Sequence, residues 1–223
     1  MAQLRARPDV EWVEPNTRER RLAAPNDPGY SPGFCRDDDL NCPADRRVPQ
    51  WWMYAVGGSN ANAIADRRRG VPGFRTAWDR TTGAASAPVA VLDTGIVSGH
   101  PELSGRVLQG FDFVHDSGYA NDGDGRDGDA ADPGDWVSQE DKANDPGRFA
   151  IPGFECAVEN SSWHGTFIAG LLVSTTNELL PRGTAGINWD GRVLPVRVAG
   201  KCGADPRDIV DGMRWAAGLQ ACR

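Results

Sequence analysis

The segment APVAVLDTG, residues 87–95, is the part of the sequence that decides the fold. Its central residues, Val89 to Leu92, are all apolar and do not alternate with polar residues. A strand of this kind is buried on both faces, as in a parallel sheet that is covered by helices. The apolar run stops at Asp93, and Gly95 permits a tight turn directly afterwards. The segment therefore predicts a buried strand that brings a carboxylate to the edge of a sheet.

The rest of the regular sequence alternates between helix and strand patterns. We predict a helix over about residues 164–176, a strand in RVLPVRVAG (192–200) and a helix over about 206–219. Asp205 is expected to cap the last helix. The apolar face of that helix is predicted to contain Ile209, Val210, Met213 and Ala217. This order of elements predicts an α/β fold, a doubly wound parallel sheet with helices on both faces.

Two titratable residues fall at the expected binding edge of this sheet. Parallel sheets bind ligands outside the carboxyl ends of their strands, which is the predicted place of Asp93. The segment SSWHGTFIAGLL, residues 161–172, brings His164 to the start of a helix near the same edge. An Asp that orients a His is the acid–base part of a nucleophilic triad. Taken singly, each residue also has a structural interpretation, in which Asp93 caps a turn and His164 supports the helix start.

Together, the two motifs resemble those of the subtilisin-like serine peptidases, the subtilases. That family has its Asp in an apolar strand that ends D-S/T-G, followed by H-P-D/E-L, and its His in H-G-T-x-V/I-A-G. Both patterns are present in the same order, in VAVLDTGIVSGHPEL and SWHGTFIAG, and the resemblance extends over about residues 71–219. It implies that Asp93 and His164 are the first two members of the catalytic triad. Phe167 stands where the family usually repeats a histidine, at a structural position.

The resemblance also implies a substrate segment. LPVRVAGKCGA, residues 194–204, looks like the strand and loop at which subtilases pair with the substrate backbone. The substrate-binding residues implied by this likeness are Val198, Ala199, Gly200 and Gly203. Beside the histidine, Gly165 and Gly170 are expected to allow close packing behind the ring of His164.

Other family segments are missing or shortened. The nucleophile of subtilases lies in G-T-S-x-A/S-x-P, which these 223 residues do not contain, and the Asn of the oxyanion hole has no counterpart either. Near the start, PDVEWVEPN (8–16) resembles the last strand and tail of an inhibitory propeptide. We therefore expect residues 1–22 to be a propeptide remnant, 23–70 a loop-rich segment and 71–223 a partial catalytic core. Relative to the family, we expect truncation at both ends.

The implied function is that of a secreted serine endopeptidase, which hydrolyses peptide bonds in protein substrates and has its own propeptide as an intramolecular inhibitor. The first residues lack the apolar stretch of a signal peptide. The alternative is a non-catalytic, calcium-stabilised fragment, or a pseudoenzyme that binds peptides. The net charge of −7 argues against nucleic acid as a partner, and no apolar run is long enough to span a membrane.

The negative charge is concentrated in an acidic insertion, residues 112–160. Within it, residues 112–145 hold eleven carboxylates against Arg126 and Lys142, a local balance of −9. In NDGDGRDGDAADPGD (121–135), closely spaced carboxylates are separated by glycines, a pattern that suits calcium. The ligands predicted from this pattern are Asp122, Asp124, Asp127 and Asp129. The segment does not match an EF-hand loop, and the alternative is a solvated acidic loop.

A second calcium site is implied by the resemblance. Glu102 lies nine residues after Asp93, where subtilases often have a calcium carboxylate. Asn177 lies near the loop that completes that site in the family.

The five cysteines have no C-x-x-C spacing. We predict a disulfide between Cys156, shortly before the histidine motif, and Cys202, which ends the strand expected beside the site. Such a bridge would hold the acidic insertion to the core. Cys35 and Cys42, in CRDDDLNC, could close a small local loop. Cys222 would then have no predicted disulfide partner. Disulfides agree with an exported protein.

Overall fold

The computed structural model describes residues 78, 80–151, 154–175 and 186–219, and its centre is a parallel sheet. The strands are β1 (Val89–Asp93), β2 (Phe111–Asp112), β3 (Ala150–Ile151), β4 (Phe154–Glu155), β5 (Val193–Arg197), β6 (Ala199–Gly200) and β7 (Gly203–Ala204). The α-helices are α1 (Ser117–Ala120), α2 (Gln139–Asn144), α3 (Pro146–Phe149), α4 (His164–Val173) and α5 (Pro206–Ala216), and a 3-10 helix spans Pro101–Leu103. None of the described helices is long and apolar enough to cross a membrane.

The central sheet has the strand order β1-β5-β2, and all three strands run parallel. Its register places Val89 beside Val193 and Asp93 beside Arg197. Asp112, at the end of β2, lies on the other side of Arg197. The carboxyl ends of the three strands therefore meet at one edge. The prediction of strands in both apolar segments is confirmed.

Helices cover both faces of the sheet, which explains why the apolar residues of β1 do not alternate with polar ones. Successive side chains of a strand point to opposite faces. Val91 packs into a cluster with Ala169 of α4, whereas Leu92 packs against the cluster on the other face, together with Trp215 of α5. The predicted α/β class, with helices on both faces of a parallel sheet, is confirmed.

The helix α5 turns a different face to the sheet from the one that its apolar pattern predicts. Asp205 caps its first turn as predicted. Val210 and Met213, however, are 51% and 58% exposed, so the predicted apolar face is wrong at these positions. Gly212 lies against the sheet instead, where a Cβ would come within 2.8 Å of the Val198 side chain. Close approach of the helix backbone to the strands therefore decides the orientation of the helix.

The acidic insertion folds around a small core of its own. It contains α1, α2, α3 and an antiparallel hairpin of β3 and β4, elements that its weak periodicity did not predict. The buried side chains of this core belong to Val114, Tyr119, Ala120, Val137, Phe149 and Cys156, and Cys202 joins them from outside the insertion. Each of these elements has six residues or fewer, which is too short for a periodic pattern to indicate its type.

A buried guanidinium joins the insertion to the sheet. Arg197, the last residue of β5, is 1% exposed. It donates hydrogen bonds to the carboxylates of Asp112 and Asp122 and to the main-chain carbonyl of Ala120. Burial raises the pKa of the Asp112 carboxyl to about 7, although the charge of Arg197 acts in the opposite direction. Removal of one partner would leave an uncompensated buried charge, at a cost of about 3–5 kcal/mol, so this cluster fixes how the insertion is placed against the sheet.

A disulfide adds a covalent connection at the other end of the insertion. It joins Cys156 to Cys202, the pair predicted from the sequence, and the two Cα atoms lie 5.5 Å apart. Cys35 and Cys42 lie outside the described residues. The same holds for the predicted propeptide remnant (1–22) and the loop-rich segment (23–70).

The first turn of α4 contacts the end of β1 through two glycines. A Cβ at Gly165 would lie 2.1 Å from the carbonyl oxygen of Gly95, so no larger residue fits there without a shift of the backbone. Gly95 itself has a φ of +100°, in agreement with the predicted tight turn. The expectation of close packing at Gly170 is wrong, because the nearest atom to a Cβ there is the Oγ of Ser174 at 3.4 Å.

We predict that Gly165→Ala lowers the free energy of unfolding by about 1–3 kcal/mol or more, because the added methyl group meets a main-chain oxygen. Gly170→Ala is the matched control in the same helix. It should be neutral or should stabilise by up to about 1 kcal/mol, because alanine has the higher helix propensity. Urea unfolding of both variants measures the difference, and equal effects would contradict the close contact at Gly165.

We also predict that the Cys156–Cys202 disulfide can be isolated by peptide mapping without reduction. It closes a loop with a sequence separation of 46 residues, for which the chain-entropy model gives a stabilisation of about 4 kcal/mol. The double variant Cys156→Ser, Cys202→Ser should therefore unfold at a clearly lower urea concentration than the oxidised protein. A linked peptide that contains Cys222 in place of Cys202 would contradict the assignment.

Candidate active site

The predicted Asp–His pair is assembled at the carboxyl edge of the sheet. Asp93 ends β1 and His164 begins α4, and a 2.7 Å hydrogen bond joins the Nδ1 of His164 to the Oδ2 of Asp93. The side chain of Asp93 is 14% exposed and that of His164 is 18% exposed, so the pair is largely shielded from solvent. A neutral imidazole that donates from Nδ1 has its basic lone pair on Nε2. This is the tautomer in which a histidine can act as a general base.

Main-chain donors hold the aspartate in this orientation. The N–H of Thr94 donates to the Oδ1 of Asp93 at 2.7 Å, which leaves Oδ2 to face the imidazole. The carbonyl of Asp93 accepts the N–H of Val198 at 2.9 Å. The carboxylate and the backbone of Asp93 are therefore both fixed by neighbouring segments.

The Thr94 side chain connects the aspartate to the acidic insertion. Its hydroxyl donates to the Oδ2 of Asp132 at 2.7 Å and accepts the N–H of Gly165 at 3.1 Å. The other oxygen of Asp132 accepts the N–H of Gly134 at 2.9 Å. Burial raises the pKa of the Asp132 carboxyl, while the hydrogen bonds from Thr94 and Gly134 act in the opposite direction. Thr94 and Asp132 are thus a buried part of the site.

A second carboxylate of the insertion holds the segment in front of the histidine. Asp135 accepts the main-chain N–H of Ser162 at 2.6 Å and its hydroxyl at 2.8 Å. The Oγ of Ser162 in turn accepts the N–H of His164 at 3.2 Å. Trp163, between them, has the left-handed backbone conformation with φ 52° and ψ 32°.

The sequence patterns did not predict Asp132, Asp135 or the roles of Thr94 and Ser162. The D-T-G motif places a hydroxyl beside Asp93, and this hydroxyl indicates that a hydrogen-bond partner lies near the aspartate. Its partner, however, lies 38 residues further along the chain. No local pattern distinguishes Asp132 from the other carboxylates of the insertion, because only the folded chain brings it to Thr94.

The predicted substrate segment is buried and paired with itself. Ala199 pairs with Ala204 and Gly200 with Gly203 in the short antiparallel hairpin of β6 and β7. A Cβ at Gly200 would lie 2.1 Å from the carbonyl oxygen of Tyr119, so α1 packs directly on this hairpin. Val198 and the hairpin thus adjoin the Asp–His pair, and their role in binding a substrate stays a prediction.

The four aspartates predicted to bind calcium in the insertion do not converge on one point. Asp122 contacts Arg197, and its Oδ1 accepts the N–H of Asp124 at 3.2 Å. The side chains of Asp127 and Asp129 accept main-chain N–H groups two residues further on, at 2.8 and 3.0 Å. Over the described ranges, no three His, Cys, Asp or Glu side chains lie close enough to hold a metal ion. As arranged, these four residues do not fit a calcium ion.

Glu102 is a better candidate for a cation ligand. It is 8% exposed, and its Oε2 is buried with no hydrogen-bond partner within the part of the chain that is described. Its main-chain carbonyl accepts both the N–H and the hydroxyl of Thr175, at 2.9 and 3.0 Å. A buried carboxylate oxygen without a partner is costly unless a cation or donor meets it. Glu102 therefore fits the predicted calcium site, whereas Asn177 lies outside the described residues.

Comparisons with known proteins agree with this geometry. The chain is similar to the extracellular protease of Xanthomonas campestris pv. campestris, with 37% identity over 98% of this chain and 30% of the relative. It is also similar to the extracellular basic protease of Dichelobacter nodosus, with 35% identity over 98% of this chain and 30% of the relative. The chain thus spans less than a third of the length of these two relatives.

A solved structure supports the same relationship. A protease from Pseudoalteromonas arctica PAMC 21717 matches 70% of this chain and 41% of its own, with 41% sequence identity and a TM-score of 0.57. The model of the subtilase family matches residues 85–223, a region that contains both Asp93 and His164. With the hydrogen-bonded pair at the predicted sheet edge and a family match over more than half of its length, the chain belongs to the subtilase family.

Proposed function

We propose that this chain contributes the Asp and the His of the catalytic triad of a secreted serine endopeptidase. The observation that carries the proposal is the 2.7 Å hydrogen bond between Asp93 and His164. Membership of the subtilase family supports it, because the two residues stand in the Asp and His motifs of that family. The names of the two similar proteins, extracellular protease and extracellular basic protease, support secretion.

In the proposed reaction, the Nε2 of His164 takes the proton of the nucleophilic serine as its Oγ attacks the scissile carbonyl. The carboxylate of Asp93 holds the ring in the required tautomer and stabilises the imidazolium that forms. The ring then gives the proton to the leaving amine. The serine belongs to the family segment G-T-S-x-A/S-x-P, which is not among these 223 residues. The substrates are proteins or peptides, and the propeptide-like residues 1–22 are proposed to act as an intramolecular inhibitor.

We further propose that calcium binds at Glu102. The support is the buried Oε2, which has no partner among the described residues, and the preference of calcium for carboxylate and carbonyl oxygens. Calcium at the four aspartates of the acidic insertion is not proposed, because their side chains do not converge on one point. The pKa of Asp124 is raised by desolvation and by the nearby charges of Asp122 and Asp127, so these carboxylates repel one another.

We predict that Asp93→Asn lowers peptidase kcat by about 10⁴-fold, because the asparagine favours the wrong imidazole tautomer. The assay uses a protein that carries these residues together with a G-T-S-x-A/S-x-P segment, and a chromogenic peptide as substrate. His164→Ala should have an effect of similar size, and the melting temperature of both variants should change little.

The matched control is Glu140→Gln, which removes one carboxylate from an exposed position of the acidic insertion. It should leave kcat within twofold of the unchanged protein. The 223 residues alone serve as the blank and should show no turnover that depends on His164. If the unchanged protein binds the peptide without cleaving it, the peptidase proposal is wrong. The alternative, a protein that binds peptides without catalysis, is then the better interpretation.

We predict that calcium raises the free energy of unfolding by about 2.7 kcal/mol at a hundredfold excess over its dissociation constant. Thermal unfolding is compared with calcium, with a chelator and with magnesium, which should stabilise less because it requires octahedral geometry. Glu102→Gln should remove the calcium effect if the site is at Glu102. The double variant Asp124→Asn, Asp127→Asn is the matched control and should leave the calcium effect in place, because these carboxylates do not converge. Identical melting curves with calcium and chelator would contradict the site at Glu102.

A further inference from the structure

We infer that two buried carboxylates of the acidic insertion, Asp132 and Asp135, are positioning residues for the Asp93–His164 pair. Neither has been placed in contact with a substrate, and each acts through a hydroxyl group that touches the catalytic segments. The inference rests on the proposed function, because it assigns to the insertion the task of holding the catalytic pair in its reactive geometry.

The first connection runs from Asp132 through Thr94. A threonine hydroxyl has one proton to donate, and Thr94 donates it to Asp132 at 2.7 Å. Its oxygen is then oriented to accept the N–H of Gly165, the residue after His164, at 3.1 Å. Thr94 is 1% exposed and Asp132 is 7% exposed, so water cannot readily replace either partner. Asp132 therefore decides which way the Thr94 hydroxyl points.

The second connection runs from Asp135 through Ser162, and here the carboxylate is buried whereas the serine is exposed. The hydroxyl of Ser162 donates to Asp135 at 2.8 Å, and its oxygen accepts the N–H of His164 at 3.2 Å. Asp135 is 1% exposed and also accepts the main-chain N–H of Ser162 at 2.6 Å. The carboxylate thus fixes both the backbone and the side chain of the residue that holds the N–H of the catalytic histidine.

The two connections meet at the start of α4. The first N–H groups of a helix have no partner within the helix. Trp163, at the N-cap, makes no side-chain capping hydrogen bond. The N–H groups of His164 and Gly165 are instead satisfied by Ser162 and Thr94, and each of these hydroxyls is oriented by a carboxylate of the insertion.

This arrangement couples the strand end to the helix start. Thr94 also donates its N–H to the Oδ1 of Asp93. One residue therefore contacts both the side chain of Asp93 and the backbone N–H of Gly165, next to His164. The hydrogen bond between Asp93 and His164 joins residues that are 71 positions apart in the chain. A small rotation of α4 against β1 would break it. The insertion carboxylates oppose that rotation from both sides of the histidine.

The experiment observes the hydrogen bond itself, by ¹⁵N and ¹H NMR of the 223-residue chain with labelled histidine. The Nδ1 proton of His164 should give a low-field signal that exchanges slowly with water. Asp132→Asn and Asp135→Asn should each broaden or remove this signal, or accelerate its exchange by about ten- to a hundredfold, as expected for a weakened hydrogen bond to a charged group. The signal is assigned with His100→Gln and His115→Gln variants.

Two further variants separate positioning from general support of the fold. Thr94→Ser keeps the hydroxyl and should retain the signal, whereas Thr94→Val has nearly the same shape without the hydroxyl and should lose it. Glu140→Gln, an exposed carboxylate of the same insertion, should leave signal and exchange unchanged. If the Asp132 variant does not fold, the comparison of Thr94→Ser with Thr94→Val decides the role of Asp132. If the Asp135 variant does not fold, Ser162→Thr, which keeps a hydroxyl, is compared with Ser162→Ala, which has none.

The outcomes also distinguish this inference from the proposed function. Asp93→Asn should move the His164 proton from Nδ1 to Nε2, and failure to do so would overturn the catalytic pair and the inference with it. If Asp93→Asn has this effect but Thr94→Val behaves like Thr94→Ser, the pair stands and the positioning role is wrong. The same conclusion follows if the folded Asp132 and Asp135 variants exchange at the unchanged rate.

Discussion

Arg197 ends the middle strand of the sheet with its guanidinium buried between Asp112, Asp122 and the main-chain carbonyl of Ala120. On its other side, in register, lies Asp93. A fixed positive charge at this edge allows a strongly acidic insertion to pack beside the carboxylate of Asp93. Without it, the insertion and Asp93 would repel one another in a partly buried region of low dielectric constant. The remaining contacts of the insertion with the site depend on this placement.

The carboxylates of the insertion therefore fall into groups that have different partners. One group of carboxylates meets cations: Asp141 contacts Lys201 at 2.8 Å, and Asp116 contacts Arg148 at 3.2 Å. A second group, Asp132 and Asp135, meets hydroxyl and main-chain donors next to the Asp93–His164 pair. A third group, which includes Asp124 and Asp129, is exposed, and Asp129 accepts the main-chain N–H of Ala131. The same residue type thus has three different roles within one short stretch of chain.

The start of α4 illustrates how the site is held. A helix is usually capped by the side chain of the residue that precedes it, but here the N-cap is Trp163, which has no suitable group. The donors are satisfied by the hydroxyl of Ser162, directly before the N-cap, and by that of Thr94 at the end of β1, and both hydroxyls are oriented by buried carboxylates. Such a network is rigid when every member is satisfied and fragile when one is lost. Rigid support of this kind is what a reactive geometry with a 2.7 Å contact requires.

The sequence by itself determined the fold class, the two strands that carry the sheet, the Asp–His pair and the Cys156–Cys202 bridge. These features have local signals: an apolar strand that ends in a carboxylate, a histidine at a helix start, and a family pattern that relates them. Only the tertiary structure decided the buried face of α5, the roles of Asp132 and Asp135, and the partner of Arg197. The physical reason is distance along the chain. The hydrogen bonds of Asp132 to Thr94, of Asp135 to Ser162 and of Arg197 to Asp112 join residues 38, 27 and 85 positions apart. Among many similar carboxylates, only packing selects which one is buried and which donor it meets.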